Sequence, residues 1–175
     1  AGVLDSARLR FFVAERLRVS AKEVQALVLG GHGDSMVPVV ASTTVAGEPL
    51  LKFLPATEVE KLFQRARDGG AEVVQLLKSG SAFYAPASSA AEMVQAILRD
   101  ERRVLPACAR LSGQYGLKDV FCGVPVRLGN RGVEEILEAP LAPQEKAALE
   151  RSAAGVRQEM RQIDAFLHAS ARASS

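Results

Sequence analysis

Three strand-like runs in the second half of the chain constrain the fold more than any other feature of the sequence. They cover residues 103–111, 119–128 and 132–139, and only short glycine-containing turns separate them. Parallel neighbouring strands need a crossover of a dozen or more residues, so these short turns predict an antiparallel meander. The pattern is not the repeated strand–helix alternation of a parallel α/β sheet.

Helices are predicted on both sides of this meander. Apolar residues recur at helical spacing from Asp5 to Leu17, and again from Leu149 to Leu167, where one continuous stripe should be docked on another element. Residues 55–78 predict a helix that Asp68-Gly69-Gly70 should break or kink. Pro86 is suited to the first turn of a further helix ending near Arg99.

The region between the first two helices predicts short strands. Residues 24–29 form an apolar run that reads as one buried strand, ending at Gly30-Gly31. Residues 37–45 and 49–53 predict a hairpin closed by a short glycine turn. We therefore expect one α+β domain over residues 1–175, with an antiparallel sheet, made of a hairpin and a three-stranded meander, packed with long helices.

Composition excludes several classes of function. The net charge of +2 is too small and too scattered to indicate a nucleic-acid partner. No apolar run is long enough to span a membrane and no signal peptide is visible, which favours the cytoplasm. Cys108 and Cys122 have no metal-ligand spacing, so we expect no metal, and we favour two buried or half-buried thiols in a reducing cytoplasm over a disulfide.

The sequence contains no complete dinucleotide-binding fingerprint. The nearest match is Gly31-His32-Gly33, which has Met36 where a third glycine belongs and lacks a following helix. We predict that this chain has no Rossmann domain of its own. Because it begins at Ala1 without Met, directly against a helical pattern, we also expect that it is one part of a longer protein.

Two local patterns carry candidate chemistry. His32 follows a buried strand and lies between two glycines, which allow a ligand to approach closely, whereas His168 falls in the last turn and should be a surface group. Asp5 and Arg8 share one helix face. Locally, His32 is either a functional base or a hydrogen-bonded structural histidine. Asp5 and Arg8 are either solvated helix charges or a base-orienting carboxylate beside a carboxylate-binding guanidinium.

Several motifs together resemble the lactate/malate dehydrogenase family. Residues 2–8 (GVLDSAR) resemble its substrate-binding helix, and residues 29–38 (LGGHGDSMVP) resemble its catalytic loop in the form typical of malate-specific bacterial members. Residues 69–72 (GGAE), 80–86 (GSAFYAP) and 123–126 (GVPV) resemble further landmarks of the family. The motifs occur in the family's order over nearly the whole chain, so the resemblance is to the C-terminal domain of such an enzyme.

The resemblance implies a role for each site residue. His32 would be the general acid/base, and Asp5 would hydrogen-bond it and fix its tautomer. Arg8 would bind the carboxylate next to the reacting carbon. Ala82 would wall the substrate pocket, where lactate-specific members usually carry a hydroxyl side chain, and Pro86 would lie near the nicotinamide.

The resemblance also implies the cofactor and partners. NAD would be bound mainly by an N-terminal half that this chain lacks, so the chain alone should be inactive. The substrate would be a small 2-hydroxy or 2-oxo dicarboxylate, interconverted as (S)-malate and oxaloacetate, and the enzyme would be a homodimer or homotetramer. The alternatives are a dehydrogenase for lactate or another 2-hydroxy acid, and a non-catalytic oligomerisation module.

Overall fold

The computed structural model describes residues 2–173, with side chains for residues 2–167, so the side chain of His168 lies outside the described part. Four helices surround the strands, namely α1 Gly2–Leu17, α2 Ala56–Leu77, α3 Tyr84–Leu98 and α4 Pro143–Ala173. The strands are β1 Val24–Gln25, β2 Val28–Gly30, β3 Met36–Pro38, β4 Thr44–Val45, β5 Glu48–Pro49, β6 Arg103–Ser112, β7 Lys118–Gly129 and β8 Gly132–Ile136. Short 3-10 turns lie at Ala21–Glu23, Gly33–Ser35, Val40–Ser42, Leu50–Lys52 and Gln114–Gly116.

The larger sheet has five strands and contains the predicted meander. Strands β3, β2, β7 and β6 lie side by side in that order, and β8 also pairs with β7. A smaller sheet has the order β1, β4, β5. Every strand pair in residues 2–173 is antiparallel, so the α+β class is confirmed and the described part contains no Rossmann-type parallel sheet.

Two glycines join β2 to the meander. Gly30 pairs with Gly123 of β7, and a Cβ atom on Gly123 would lie 2.5 Å from the carbonyl oxygen of Gly30. No side chain fits in that space, so only glycine lets the two strands approach this closely. The end of β2, which leads into His32, is thereby fixed against the centre of the sheet.

The prediction of one strand over residues 24–29 is wrong. Its two ends pair with different partners, because Val24 lies opposite Val45 in the small sheet and Val28 lies opposite Pro38 in the large one. The predicted hairpin over residues 37–45 and 49–53 is also too long. Within it, β4 and β5 pair across a turn at Ala46 and Gly47, where both φ angles are positive. The start of the predicted first arm belongs to β3, which pairs with β2, and 3-10 turns lie at Val40–Ser42 and Leu50–Lys52.

The predicted break in the second helix is also wrong. Helix α2 runs without interruption through Gly69 and Gly70. The cost of a glycine in a helix, roughly 1 kcal/mol each, is small beside the packing of the apolar face of α2 against α1. Helix α3 begins at Tyr84, so the prediction that Pro86 lies in its first turn is confirmed.

The long last helix is docked along its first half only. Leu149 and Ala153 are buried against the large sheet, but farther along the predicted stripe Ile163 and Leu167 are exposed. A second core lies between α1, α2 and the small sheet. Within residues 2–173, no helix is both long and apolar enough to cross a membrane. Both cysteines are free thiols; Cys122 is buried as predicted, whereas Cys108 is exposed, so the prediction of a buried or half-buried thiol is wrong there.

Candidate active site

The first turn of α1 places Asp5 in the interior of the protein. A Cβ atom on Gly2 would lie 2.6 Å from the carbonyl oxygen of Pro106, so glycine allows the helix to start directly against β6. One residue after Asp5, the hydroxyl of Ser6 accepts a hydrogen bond of 3.0 Å from the backbone N–H of Val28. These contacts fix the turn against two strands, and Asp5 is 0% exposed.

His32 lies in the connection between β2 and β3, where Gly30 pairs with Met36. The hydroxyl of Ser35 donates a 3.2 Å hydrogen bond to the carbonyl oxygen of His32 and closes this loop. Gly33 has a φ of +66°, a conformation that other residues rarely adopt. The imidazole is 56% exposed, so a ligand can reach it.

The carboxylate of Asp5 lies between the other two candidate groups. Its Oδ2 is 2.9 Å from Nδ1 of His32, and its Oδ1 is 3.7 Å from Nη1 of Arg8. The predicted contact between Asp5 and His32 is therefore present, across a separation of 27 residues in sequence. Because a carboxylate oxygen accepts, Nδ1 donates, and the acid–base chemistry of the ring is left to Nε2.

Arg8 is held along the surface of α2. Its side chain is 13% exposed, and Nη1 donates a 3.3 Å hydrogen bond to the carbonyl oxygen of Ala66. A Cβ atom on Gly69 would lie 2.5 Å from Cδ of Arg8, so the glycine makes room for the arginine. The prediction that Gly69 breaks the helix missed this function. A glycine inside an otherwise helical pattern was the signal that something packs there.

Arg8 and Ala82 line one cavity of about 480 Å³ between α1, α3 and the end of α2. Its other walls are largely apolar and include the exposed side chains Phe11, Val73, Leu77, Phe83 and Tyr84. His32 does not line this cavity. Pro86 is exposed in the first turn of α3, next to Ala85, which does line it. The structure thus brings Asp5, His32 and Arg8 together, places Ala82 in the wall of the same cavity as Arg8, and leaves Pro86 outside the lining of that cavity.

The arrangement combines a buried carboxylate, an accessible imidazole and a guanidinium. The carboxylate–imidazole pair is suited to moving a proton, and the guanidinium is suited to binding a carboxylate in two-pronged geometry. Among the described side chains, no three His, Cys, Asp or Glu residues are grouped closely enough to bind a metal ion. Together, the carboxylate, the imidazole and the guanidinium are suited to proton transfer beside a bound anion.

Comparison with known proteins identifies the family. Residues 2–167 match the model of the lactate/malate dehydrogenase alpha/beta C-terminal domain, and the chain belongs to this family. It is 54% identical over 167 residues to a malate dehydrogenase of Chlorobium phaeobacteroides, a match that covers 95% of this chain and 54% of that protein. The chain therefore spans about half the length of this curated relative.

Solved structures agree in fold. The malate dehydrogenase of Salinibacter ruber matches with a TM-score of 0.93 and 46% identity, over 97% of this chain and 55% of that one. The lactate dehydrogenase of Eimeria maxima, solved with NADH and oxamate, matches with a TM-score of 0.89 and 37% identity, over 97% and 54%. Both specificities of the family are thus represented among the structural neighbours.

Proposed function

We propose that this chain is the catalytic and substrate-binding half of an NAD-dependent malate dehydrogenase, which interconverts (S)-malate and oxaloacetate. The observation that carries the proposal is the contact of one buried carboxylate, that of Asp5, with both His32 and Arg8. The name of the Chlorobium phaeobacteroides relative supports malate as the substrate. The cytoplasmic location stays a prediction.

In the proposed reaction, His32 moves the proton. Nε2 takes the hydroxyl proton of malate as the C–H bond of the carbon that bears the hydroxyl breaks, and it returns that proton in the reverse direction. Asp5 accepts from Nδ1, which fixes the tautomer that leaves Nε2 as the base and stabilises the imidazolium formed. The substrate would reach the imidazole ring from the exposed side of the ring.

Arg8 binds the carboxylate next to the reacting carbon. Its guanidinium is already held by Asp5 and by the carbonyl oxygen of Ala66, so little side-chain freedom is lost when substrate binds. Ala82 lines the same cavity with a small apolar side chain and would form a wall of the substrate pocket.

NAD, when bound, provides the acceptor for the hydride that leaves the substrate carbon. The antiparallel sheets of the described residues are not a dinucleotide-binding fold, which fits a cofactor held mainly by another domain. The exposed face of His32 and the first turn of α3 around Pro86 would meet its nicotinamide end. We propose that a nucleotide-binding half completes the enzyme, and that the complete enzyme is a homodimer or homotetramer.

Lactate is the second candidate substrate. The observation that favours it is the match to lactate dehydrogenases, including the Eimeria maxima enzyme solved with oxamate. Ala82 favours malate instead, because the resemblance places a hydroxyl side chain there in lactate-specific members. Malate and lactate share the carboxylate next to the reacting carbon and differ in the other carbon substituent of that carbon, so a direct comparison of the two substrates separates the candidates.

The test uses the complete enzyme, which is this chain joined to its nucleotide-binding half. We expect NAD-dependent oxidation of malate in preference to lactate, and loss of this activity in His32→Asn. The matched control is His168→Asn, which removes the second histidine of the 175-residue chain and should keep full activity. Malate oxidation by the 175-residue chain alone, or a preference for lactate, would contradict the proposal.

A further inference from the structure

We propose that Ser152, on the last helix, is a positioning residue that holds the loop of His32 in its catalytic geometry. The inference rests on the proposed function, because it concerns the same proton transfer. Ser152 and Glu145 of α4 bind the two ends of the segment from Gly31 to Val40, which contains His32. Helix α4 is more than one hundred residues away in sequence, as the separations of 121 and 105 residues in these two contacts show.

The first contact lies directly before His32. The Ser152 hydroxyl accepts a 2.9 Å hydrogen bond from the backbone N–H of Gly31, and Ser152 is only 6% exposed. A Cβ atom on Gly30 would lie 2.8 Å from the same hydroxyl oxygen, and one on Gly31 would lie 3.5 Å from it. Gly30 therefore makes room for this hydroxyl at the base of the loop, whereas the distance at Gly31 is an ordinary contact.

The second contact lies at the other end of the segment. Oε1 of Glu145 accepts a 2.8 Å hydrogen bond from the backbone N–H of Val40, and Oε2 accepts another of 2.8 Å from the N–H of Ala142, just before the first turn of α4. Glu145 is 6% exposed. A carboxylate at a helix N-terminus is favoured by the helix dipole, so this carboxylate is held firmly.

These contacts matter because Asp5 alone does not set the position of His32. Asp5 lies on α1 and binds one ring nitrogen, whereas the location of the ring depends on the backbone of a loop that contains glycine on both sides of His32. Loss of the hydroxyl leaves the Gly31 N–H without its acceptor and lets the loop shift. A displacement of about 1 Å at a reacting group can cost about a hundredfold in rate.

Arg8 is held independently of α4, through Asp5, Ala66 and Gly69. A change at Ser152 should therefore slow proton and hydride transfer without a similar loss of substrate binding. A merely structural role would lower stability without this selective effect on the rate.

The first experiment compares Ser152→Ala with Tyr115→Phe in the complete enzyme. The Tyr115 hydroxyl also accepts from a backbone N–H, that of Ala139 at 2.7 Å, but outside the site. We expect the single-turnover rate of hydride transfer to fall at least tenfold in Ser152→Ala and to stay within twofold of wild type in Tyr115→Phe. The dissociation constant for malonate, a dicarboxylate without a hydroxyl group, should change less than threefold in both.

Ser152→Thr retains the acceptor and guards against a folding defect in the alanine variant. Ser152 borders a cavity of about 410 Å³ between α2, α4 and the turn Gly33–Ser35, which leaves room for the added methyl group. We expect the threonine variant to keep at least a third of the wild-type rate. A rate for Ser152→Ala within twofold of wild type, or an equal fall in Tyr115→Phe, would overturn the proposal.

A second experiment separates this proposal from the proposed function. In ¹⁵N NMR of the 175-residue chain, wild-type His32 should show the single tautomer with its proton on Nδ1, and Ser152→Ala should show a mixed or broadened signal. If the wild-type complete enzyme does not oxidise malate but the NMR difference is present, the proposed function fails and the positioning role stands. Identical His32 spectra in the two chains would overturn the positioning role.

Discussion

Arg8 lies so close to Gly69 that a Cβ atom at position 69 would be 2.5 Å from Cδ of the arginine and 2.9 Å from its Nε. The two residues belong to different helices, α1 and α2. The glycine is therefore part of the binding site for the arginine side chain, and a substitution there should act on the substrate-binding group before it acts on the helix.

Gly69→Ala should weaken substrate binding in the complete enzyme. The added methyl group pushes the flexible arginine side chain away, because moving it costs less than shifting two packed helices. We expect the KM for malate to rise about tenfold, in line with a misplaced clamp, with a smaller change in kcat. Steady-state kinetics checks this, and an unchanged KM would contradict it.

Gly70→Ala is the matched control for this substitution. It lies in the same helix, and a Cβ atom at position 70 would meet nothing within 4 Å. Alanine should therefore stabilise the protein by roughly 0.5–1 kcal/mol through helix propensity alone. Urea unfolding should show this gain with kinetics unchanged.

Asp5→Asn should slow hydride transfer in the complete enzyme far more than it weakens substrate binding. An amide can donate to His32 Nδ1, which favours the tautomer with its proton on Nε2 and removes the base. In a comparable carboxylate–histidine pair the loss is about 10⁴-fold in kcat, and we expect a loss of about 10²–10⁴-fold here. Rapid-mixing measurement of NADH formation gives the rate.

Asp34→Asn is the control for Asp5→Asn. Asp34 lies two residues after His32, and it is exposed. The loss of its charge should change the rate by less than threefold. If both substitutions slow the reaction equally, the effect is one of general charge near the loop, and Asp5 has no specific role.

Much of the fold could be predicted from local patterns. The meander could be predicted from the short turns between β6, β7 and β8, because the length of the connection between two strands decides whether they can be parallel, whatever their side-chain contacts. Local patterns made Asp5, Arg8 and His32 candidates but left a structural role open for each, and the resemblance to the family selected them as site residues. Once these residues were selected, their mutual contact could be predicted, because the start of a helix can meet the end of a strand.

The parts that could not be predicted depend on distant partners. The hydroxyl of Ser6 meets Val28 across 22 residues, and Ser152 meets Gly31 across 121 residues. A serine in a helix has no local feature that identifies such a partner. The prediction of a break in α2 at Gly69 failed for the same reason, because the space that the glycine provides is used by Arg8 of another helix.

Ser6→Ala should destabilise the protein by about 1–3 kcal/mol. The substitution leaves the buried N–H of Val28 without an acceptor, which costs that group its desolvation free energy. Ser89→Ala removes only an exposed hydrogen bond within α3 and should change the free energy of unfolding by less than about 0.5 kcal/mol. Equal losses in the two variants, measured by urea unfolding, would show that the bond between α1 and β2 contributes nothing special.

The buried thiol of Cys122 should make the free energy of unfolding fall as the pH rises into the alkaline range. Burial raises the pKa of its thiol from the ordinary 9.0 to about 11, with Cys108 as a smaller cause. The folded protein therefore keeps this thiol protonated over a range in which the unfolded chain ionises it. The stabilisation is fully present below pH 9 and is lost as the pH rises through about 11, because the proton is bound more tightly in the folded state.

The size of the effect follows from the same two pKa values. Near pH 10, the free energy of unfolding should lie about 1.4 kcal/mol below its value at pH 8 from this thiol alone, since one pKa unit corresponds to about 1.36 kcal/mol. Urea unfolding under reducing conditions at both pH values measures the difference.

Cys122→Ala lowers stability at every pH through the lost packing, but it should remove this part of the pH dependence. Cys108→Ala, which removes the thiol on the exposed face, should remove less of it. If wild type and Cys122→Ala lose the same free energy between pH 8 and pH 10, the thiol ionises equally in both states and its burial has no effect on alkaline stability.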